Sequence, residues 1–545
     1  MVARWRQATL LLPLAVAGVV HWVRGPQPDL NPPPTGATEQ AGELLSATAS
    51  WLSGAAPPSL ELEGDWYVTV YSQDGRLRRS VAVGEGAWSE PLRKAWPGNM
   101  QVDLAVPDPP SARPGPWGMG LDVGLDGWLT DDGGVHLPVT FLLDGKERGE
   151  LAEFLRSHPG QPLRTWSWVL GPEGPLRLQR ATVDPGELSP ELLRERIRLA
   201  ADYLAGHLGP DGRFDYSWLS RRGKAGGGYN IVRHAGAAYS LFQAHGVSGD
   251  PLHYEAGLSA LGYLDTATQH SPDGRCFVVA GDWVKLGASG LTLLALVEQA
   301  RVHPDEAQPE RMRCLAEHIV ANQEEGGELH SYSTEGGRYE DPGGQVAFYS
   351  GEALLALLRY SELDPDPRWL DTVTRGTDYL IHERWEALGL RIRVPADAWQ
   401  AQLLAGLWRR VPDPEYAEHA FAVGTALMAW QLGPSAPEDV QGGTVTSGFP
   451  QTIGAGARAE GLAALAALEA ELRPGERRFL DQTRLTVGFS LRHQYTPPMM
   501  LGLRRPERSL GGFREAADDG QIRIDGVQHN ISGLVGLLRL MESSP

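Results

Sequence analysis

The chain has 545 residues, of which 68 are Asp or Glu and 49 are Lys or Arg, and its formal net charge is −19. With 42% hydrophobic residues, the composition is that of a folded globular protein and excludes a disordered or fibrous one. The acidic balance argues against nucleic acid as a partner, because binding to phosphate backbones needs a basic surface. Cys276 and Cys314 are the two cysteines, which excludes a disulfide framework and a cysteine-built metal site but leaves one disulfide open.

Residues 1–24 have the pattern of an export signal. Arg4 and Arg6 precede an uncharged apolar stretch over residues 8–23. A basic flank before such a stretch is typical of a signal peptide or an uncleaved anchor, and we expect a membrane anchor on an exported, periplasmic or outer-surface protein. A buried N-terminal helix of a cytoplasmic protein is the alternative. Residues 25–58, rich in Pro, Ala, Ser and Thr, predict a linker.

Residues 59–185 predict a smaller, β-rich domain. Short runs alternate apolar and polar residues, and Asp-Gly, Gly or Pro separate the runs. Alternation with a period of two and Asp-Gly turns indicate strands joined by hairpins. Because the polar residues of this zone form no cluster with catalytic or metal-ligand spacing, we expect no catalysis there.

From residue 186 to residue 545 the apolar residues recur with helical spacing, and the pattern repeats. Six small, Ala/Leu-rich segments begin near residues 234, 289, 350, 398, 459 and 531. A more amphipathic segment precedes each of them, at 188–208, 251–269, 305–323, 366–384, 413–431 and 475–494. Segments that are apolar all round predict buried helices, and segments with one charged face predict outer helices. Six such pairs favour a mainly α fold, an (α/α)6 toroid of six helical hairpins, over an open solenoid.

The loops that lead into the six apolar segments are long and polar, whereas the return turns are short and rich in Asp and Pro. In a closed toroid, the long loops would all emerge on one face and surround a single funnel. Convergence of polar side chains from distant parts of the chain is what a catalytic or binding site needs. We therefore predict the functional site at this face.

Several groups that can exchange protons lie in these loops or in the first helical turns after them. The candidate catalytic residues are Tyr229, His234, Tyr349, Glu352, Asp397, Asp525 and His529, with Glu460 as a further carboxyl group. His234 and His529 begin the first and last apolar segments, which become neighbours when the ring closes. A histidine at such a place can titrate near neutral pH, and a structural core histidine is the alternative.

Cationic and aromatic side chains also occur in these loops. The cations are Arg233, Lys285, Arg338, Arg393, Arg458, Arg514 and Arg523, and the aromatic residues are Tyr229, Trp283, Tyr339, Tyr349 and Trp399. Cations gathered in one cleft of an acidic protein indicate an anionic ligand, unless each arginine pairs with a nearby carboxylate. Aromatic faces suit sugar rings. The candidate substrate-binding residues are Asn230, Arg233, Trp283, Lys285, Trp399, Arg458, Arg514 and Arg523.

Common signatures of other chemistries are absent from the sequence. The chain has no GxSxG elbow, Walker loop, HExxH motif or paired CxxC motif. We therefore predict no metal site and no cofactor. The acidic segment DDGQIRIDG has several carboxylates but does not match the spacing of an EF-hand. Calcium binding there stays an open alternative.

The layout of a β-rich domain followed by six hairpins, with the segments YSGEALLALLRY and IRIDGVQHNISGLVGLL, resembles the carbohydrate-active (α/α)6 proteins. In layout it is most similar to D-glucuronyl C5-epimerases and to uronate lyase and hydrolase families. The resemblance covers about residues 190–541 and concerns architecture, so it assigns no catalytic residue. It implies a polysaccharide substrate that contains uronate. Toroids also host terpene cyclases, but the chain has no DxDD motif.

Three functions stay open at this point. The first is an envelope-associated epimerase or lyase that abstracts the C5 proton of a uronate, with an arginine neutralising the substrate carboxylate and a tyrosine or histidine as base and acid. The second is a glycoside hydrolase with two carboxylates drawn from Glu352, Asp397, Glu460 and Asp525. The third is a non-catalytic protein that binds a polysaccharide or organises a complex in the cell envelope.

Overall fold

In a computed structural model of the chain, the described residues are 33–56, 58–72, 78–83, 98–107, 126–138, 144, 148–171, 173–334, 346–387, 394–445 and 449–543. The predicted anchor at residues 8–23 lies outside these ranges, and so do Arg338, Tyr339 and Arg393. Among the helices within these ranges, none is both long enough and apolar enough to cross a membrane.

The β-rich region is an antiparallel sheet. Its strands are β1 (Asp65–Ser72), β2 (Arg78–Ala82), β3 (Gly98–Pro107), β4 (Asp126–Thr130), β5 (Val135–His136), β6 (Gly160–Gly171) and β7 (Gly174–Leu178). The order is β2-β1-β3-β6-β4-β5, and β7 pairs with the second half of β6. Val68 lies opposite Val102, which in turn lies opposite Trp168, and all three are buried. The predicted alternation therefore places one face of the sheet against a core.

That core is covered by helix α1 (Ala37–Leu52), which corrects the prediction of a linker over residues 25–58. Leu44, Leu45 and Trp51 of α1 are buried in one cluster with residues of the sheet. The apolar residues of α1 follow helical spacing, and this spacing prevails over the composition that suggested a linker. A second helix, α2 (Arg148–Ser157), precedes β6.

The rest of the described chain forms six helical hairpins, which confirms the predicted toroid. The outer helices are α3 (Pro190–Gly206), α5 (Pro251–Thr266), α7 (Pro309–Ala321), α9 (Pro367–His382), α11 (Pro414–Met428) and α13 (Arg478–Arg492). The inner helices are α4 (Ile231–Ser248), α6 (Leu286–Val302), α8 (Tyr349–Tyr360), α10 (Ala398–Arg410), α12 (Thr452–Leu472) and α14 (Ile524–Ser543). Four of the six outer helices start with an Asp or Ser cap followed by Pro, the typical beginning of a helix.

The inner helices form a closed ring, because each contacts the next and α14 contacts α4. Small residues allow this close packing. A Cβ atom added at Gly290 of α6 would lie 2.8 Å from the Cα atom of Ala353 of α8, and one at Gly456 of α12 would lie 2.7 Å from the backbone nitrogen of Asn530 of α14. The open solenoid is therefore excluded for this chain.

A repeated contact joins neighbouring hairpins on the outside of the ring. Gly212, Gly327, Gly442 and Gly511 each follow an outer helix, with φ angles of 78°, 96°, 82° and 83°. Each lies against a backbone carbonyl of the next outer helix, and these carbonyls belong to Ser259, Arg375, Leu485 and Leu199. The Gly511 contact joins the loop after the last outer helix to the first, so it helps to close the ring.

A glutamine supports this contact in three of the hairpins. The side-chain amides of Gln323, Gln431 and Gln494 each donate to the carbonyl of the loop glycine and to a carbonyl one turn earlier in the next outer helix. For Gln494 the acceptors are Gly511 at 3.0 Å and Arg196 at 2.9 Å. Because these amides bond to backbone groups of two hairpins, they fix the spacing between the hairpins.

We expect the substitution Gly511→Ala to lower the free energy of unfolding by more than about 1 kcal/mol. The new Cβ atom would overlap the Leu199 carbonyl, and alanine disfavours the positive φ angle of this position. Urea unfolding followed by circular dichroism measures the effect. Gly488→Ala is the control, because a Cβ there meets no neighbouring atom and should leave stability unchanged or raise it. Equal stability of both variants would contradict the closing role of Gly511.

Two small antiparallel sheets lie in the loops before the inner helices. One consists of β10 (Thr268–His270), β11 (Cys276–Ala280), β12 (Trp283–Lys285) and β13 (Tyr332–Ser333), and the other of β8 (Ser217–Leu219), β9 (Lys224–Ala225), β14 (Arg514–Ala516) and β15 (Asp519–Arg523). A disulfide between Cys276 and Cys314 ties β11 to α7. The sheets hold the ends of these loops next to the first turns of α4, α6 and α14.

Candidate active site

Polar and aromatic side chains from the N-terminal halves of several inner helices converge at one face of the ring. They are Arg233 on α4, Tyr349 and Glu352 on α8, Asp397 and Trp399 at the start of α10, Glu460 on α12, and Asp525 and His529 on α14. The electrostatic interactions between them cross the ring, since Glu352 interacts with Asp397 and Glu460, and Arg233 interacts with Tyr349 and Asp525. The predicted funnel therefore brings together residues that lie far apart in the sequence.

Glu352 is the most perturbed carboxyl group of this set. It is 5% exposed, and its Oε2 atom has no hydrogen-bond partner among the described residues. Burial, with added repulsion from Asp397 and Glu460, raises its pKa to about 8. At neutral pH Glu352 is therefore mostly protonated and can donate a proton.

Asp397 caps the N-terminus of α10. The backbone N–H groups of Trp399 and Gln400 donate to its Oδ1 atom at 2.9 and 3.3 Å, so the cap does not use Oδ2. Burial raises the pKa of Asp397 to about 6, although these two bonds and the charge of Arg384 favour the carboxylate. Near pH 7, Asp397 is thus mostly a carboxylate and Glu352 is mostly protonated. Their different surroundings therefore make Glu352 a possible acid and Asp397 a possible base.

The buried Glu460 pairs with the partly buried His529, with 3.1 Å between Oε1 and Nδ1. The side-chain amides of Gln528 and Gln402 also donate to Glu460, at 3.3 and 3.4 Å. Although burial disfavours the imidazolium, the Glu460 carboxylate raises the pKa of His529. The centroid of the Trp399 ring lies 5.9 Å from that of His529. His529 and the buried ring of Trp399 therefore lie together in the site.

Arg233 and Arg523 both pair with Asp525. The Arg233 Nε atom lies 2.7 Å and the Arg523 Nη2 atom 2.6 Å from Asp525 Oδ2. Arg523 also pairs with Glu515 at 3.0 Å. Two cations and two carboxylates compensate each other in this network, so the alternative of local ion pairs holds for both arginines.

Two further predicted binding residues bond to backbone carbonyls. Arg514 is buried and donates to the carbonyl of Arg180 at 2.8 Å and to that of Ala517 at 2.6 Å, which holds the β-rich region against the toroid. Arg458 donates to the carbonyls of Leu427 and Gly454, both at 3.1 Å. The structure thus does not gather the described arginines as free cations for an anionic ligand.

Tyr229 and His234 form a separate cluster at the start of α4. The Nε2 atom of His234 lies 3.0 Å from the carbonyl of Ala260 and must donate to it, so the Tyr229 hydroxyl donates to Nδ1, also at 3.0 Å. Burial lowers the pKa of His234 to about 4 and keeps it neutral. Asn230 caps α4 by accepting from the backbone of Val232 at 3.0 Å. His234 and His529 have different partners, although the helices that carry them, α4 and α14, are neighbours as predicted.

The rings of Trp283, Tyr332 and Tyr349 form an aromatic row near the starts of α6 and α8. The ring centroid of Tyr332 lies 5.9 Å from that of Tyr349 and 6.3 Å from that of Trp283. Burial raises the pKa of Tyr349, and burial lowers that of Lys285 at the start of α6. Trp283, Lys285 and Tyr349 were predicted from the sequence, but Tyr332 was not, because it follows α7 instead of immediately preceding an inner helix.

Other residues of the site were also absent from the prediction. They are Gln402, Gln528, Arg384 and Glu515, each of which contacts or faces one of the central carboxylates or arginines. Gln528 adjoins His529 in the sequence, so its position next to a predicted site residue was an available signal. Glu515 adjoins the predicted Arg514 in the loop before α14, which was also an available signal. For Gln402 and Arg384 we find no signal in the sequence.

The chain matches no protein-family model, and no curated protein is significantly similar to it. Solved structures similar to it include D-mannose isomerase, with 12% identity over 64% of this chain and 97% of that chain and a TM-score of 0.49. Cellobiose 2-epimerase from Bacillus thermoamylovorans B4167 has 10% identity over 64% of this chain and 99% of that chain, also with a TM-score of 0.49. An unsaturated glucuronyl hydrolase specific for heparin has 12% identity over 65% and 99%, with the same TM-score. The expected resemblance to (α/α)6-toroid carbohydrate-active proteins is thus observed, but it establishes no residue role and no activity.

Proposed function

We propose that this chain is a carbohydrate-active enzyme that hydrolyses glycosidic bonds at the funnel of the toroid. The observation that supports the proposal is the contrast between Glu352, with a pKa of about 8, and Asp397, with a pKa of about 6. Glycoside hydrolysis generally needs one protonated and one ionised carboxyl group at the same bond. Between these two pKa values, both groups are largely in the required state.

In this scheme Glu352 protonates the oxygen of the leaving sugar. Asp397 acts on the other side of the bond, either as the base that activates water or as the nucleophile, depending on the separation of the two carboxyl groups around the substrate. The partly exposed imidazole of His529, held by Glu460, lies next to these carboxyl groups, and the buried ring of Trp399 packs against it. The ion pairs of Asp525 with Arg233 and Arg523 would keep the first turns of α4 and α14 in place beside the site.

The state of the carboxyl groups favours an enzyme over a protein that only binds polysaccharide. A purely structural role predicts that all four central carboxyl groups are engaged in ion pairs. Asp525 and Glu460 are engaged with Arg233 and His529, respectively. Glu352, in contrast, has an oxygen without a hydrogen-bond partner among the described residues, although burial of such a group is unfavourable. A group held in this way is typical of a catalytic acid.

One observation supports the second candidate, abstraction of the C5 proton of a uronate. The side chain of Arg233 is 35% exposed and interacts electrostatically with Tyr349. Arg233 could neutralise a substrate carboxylate while Tyr349 acts as the acid or base, but it would have to share its charge with Asp525. We place either activity outside the cytoplasm, a proposal that rests on the export pattern of residues 1–24 alone.

Proton NMR in D2O separates these candidates. The full chain is incubated with neutral glucans and mannans and with polygalacturonate, alginate and heparosan. We expect new reducing-end anomeric signals from at least one polymer, without deuterium at C5. Deuterium at C5 or unsaturated uronate signals would favour the second candidate, and no change in any polymer would contradict both.

Two variants that affect equivalent positions provide the control for this experiment. Asp397 and Asp413 both cap a helix N-terminus with their side chains, but Asp413 lies on the outer helix α11. We expect Asp397→Asn to abolish product formation and Asp413→Asn to preserve it. Equal activity of the two variants would show that Asp397 serves only as a cap.

A further inference from the structure

Trp430 is the most unusual aromatic residue in the described part of the toroid. Its side chain is 60% exposed, and its backbone has a φ angle of 66°. Positive φ is uncommon for residues other than glycine and is strained for a bulky side chain. Exposure of a large aromatic ring is also unfavourable in water. Two unfavourable features therefore coincide at one residue.

The internal repeat shows that the fold does not require this arrangement. Trp430 immediately precedes Gln431, and in the matching hairpins Asn322 and His493 precede Gln323 and Gln494. Asn322 is 3% exposed with a φ angle of −82°, and His493 is 0% exposed with a φ angle of −99°. The same contact between hairpins thus forms with the preceding side chain turned inward. At Trp430 alone among these three positions, the side chain points outward.

The backbone around Trp430 is held firmly in this conformation. The carbonyl of Trp430 accepts from the backbone N–H of Val445 at 2.9 Å. The side-chain amide of Gln431 donates to the hydroxyl of Thr486 at 2.6 Å and to the carbonyl of Gly442 at 3.3 Å. An aromatic side chain on such a fixed backbone is a rigid surface, and rigid surfaces lose little conformational entropy when they bind a ligand.

Trp430 lies on the side of the ring where the active site opens. It follows the C-terminus of α11, and Leu427 in the last turn of α11 contacts the first half of α12. A Cβ atom added at Gly461 would lie 3.0 Å from both Leu427 Cδ1 and Ala398 Cα, so these three residues are in contact. Ala398 is the neighbour of Asp397. Trp430 follows Leu427 by three residues, in the loop that leads from the outer helix α11 into the inner helix α12.

We propose that Trp430 is a binding platform for a sugar ring of a glycan chain, distant from the bond that reacts. The apolar face of a pyranose would stack on the exposed indole ring, while another part of the same chain occupies the central carboxyl groups. The inference rests on the proposed function and adds the substrate class to it. The substrate is an oligosaccharide or polysaccharide of several units, because one chain has to occupy both places.

The first test measures occupancy of Trp430 directly. The full chain carrying Glu352→Gln, which binds without turnover, is oxidised with N-bromosuccinimide, and peptide mass spectrometry locates the modified tryptophans. The probes are the monosaccharide and the hexasaccharide of each polymer in the NMR panel. We expect at least one hexasaccharide to slow oxidation of Trp430 about fivefold or more, and its monosaccharide to have no effect. Lack of protection by all hexasaccharides would overturn the proposal.

The second test uses Trp430→Gly, which removes the ring and suits the positive φ angle. We expect this variant to unfold at a higher temperature than the wild type and to lose the preference in kcat/KM for long over short substrates by about tenfold or more. A lower unfolding temperature would show that the ring has a packing role and would overturn the proposal. Leu252→Ala, at an exposed apolar residue in the first turn of the outer helix α5, is the control and should change neither property.

These outcomes separate the platform from the hydrolase. If no polymer is cleaved but a hexasaccharide protects Trp430, the proposed reaction fails and the platform stands. If a polymer is cleaved with equal efficiency at all lengths, the platform fails and the reaction stands. If the wild type sediments as a dimer and Trp430→Gly as a monomer, the ring covers an interface between two copies, which also overturns the platform.

Discussion

Replacing Glu352 by Gln is expected to lower kcat by about 10²- to 10⁴-fold, the usual contribution of a general acid. Glutamine keeps the size of the side chain but cannot donate a proton to a leaving oxygen. Glu362→Gln, at an exposed residue just beyond the C-terminus of the same helix, is the matched control and should retain full activity. A loss of less than about tenfold in kcat for Glu352→Gln would remove Glu352 from the proposed mechanism.

The pH dependence of the wild type should report the same two groups. We expect a bell-shaped profile of kcat/KM with limbs near pH 6 and pH 8, because Asp397 must be ionised and Glu352 must be protonated. In Glu352→Gln any residual activity should lose the alkaline limb. An unchanged alkaline limb in this variant would assign that limb to another group.

Stability gives an independent check on Glu352. Its folded pKa of about 8 lies above the usual value of 4.5, so the unfolded chain releases this proton at lower pH than the folded chain does. The contribution of Glu352 to stability is therefore fully present below pH 4.5 and is lost as the pH rises toward and through 8. Glu352→Gln should thus be more stable than the wild type at pH 9, and denaturant unfolding at pH 5 and pH 9 measures the difference.

The second large effect is expected for Asp525→Asn, which should lower the free energy of unfolding by about 3 kcal/mol. Asp525 is 2% exposed and is the shared partner of Arg233 and Arg523. Without its charge, two guanidinium groups would face each other with only Glu515 to compensate them. Breaking a buried pair in this way leaves uncompensated charge, which is far less favourable than losing a surface pair.

The pair between Arg194 and Glu542 is the control for Asp525, because both side chains are exposed. Glu542→Gln should change the free energy of unfolding by no more than about 0.5 kcal/mol. Thermal and urea unfolding of the two variants, at low and at high salt, makes the comparison. A similar small effect for both would mean that the Asp525 network is solvated and does not order the site.

The helical hairpins could be predicted because their signals are local. The inner helix α6 is buried on all sides from Leu286 to Ala300, whereas the outer helix α9 buries one face, and these two patterns follow from burial on two sides or on one. Helix α1 was missed because its helical spacing lies within a stretch whose Pro and Ser content suggested a linker. The contacts of Gly212, Gly327, Gly442 and Gly511 were also missed, since each depends on a carbonyl of another hairpin.

By itself, the sequence determined the closed ring of six hairpins and the face on which Tyr349, Glu352, Asp397, Asp525 and His529 meet, because all of them lie in or near the first turns of inner helices. Only the tertiary structure decided the electrostatics of that face. Whether Arg233 is a free cation or the partner of Asp525, and whether Glu352 holds its proton at neutral pH, depends on distances of a few ångströms between distant parts of the chain. Such distances are fixed by the packing of the helices, since burial and neighbouring charges set the state of each group.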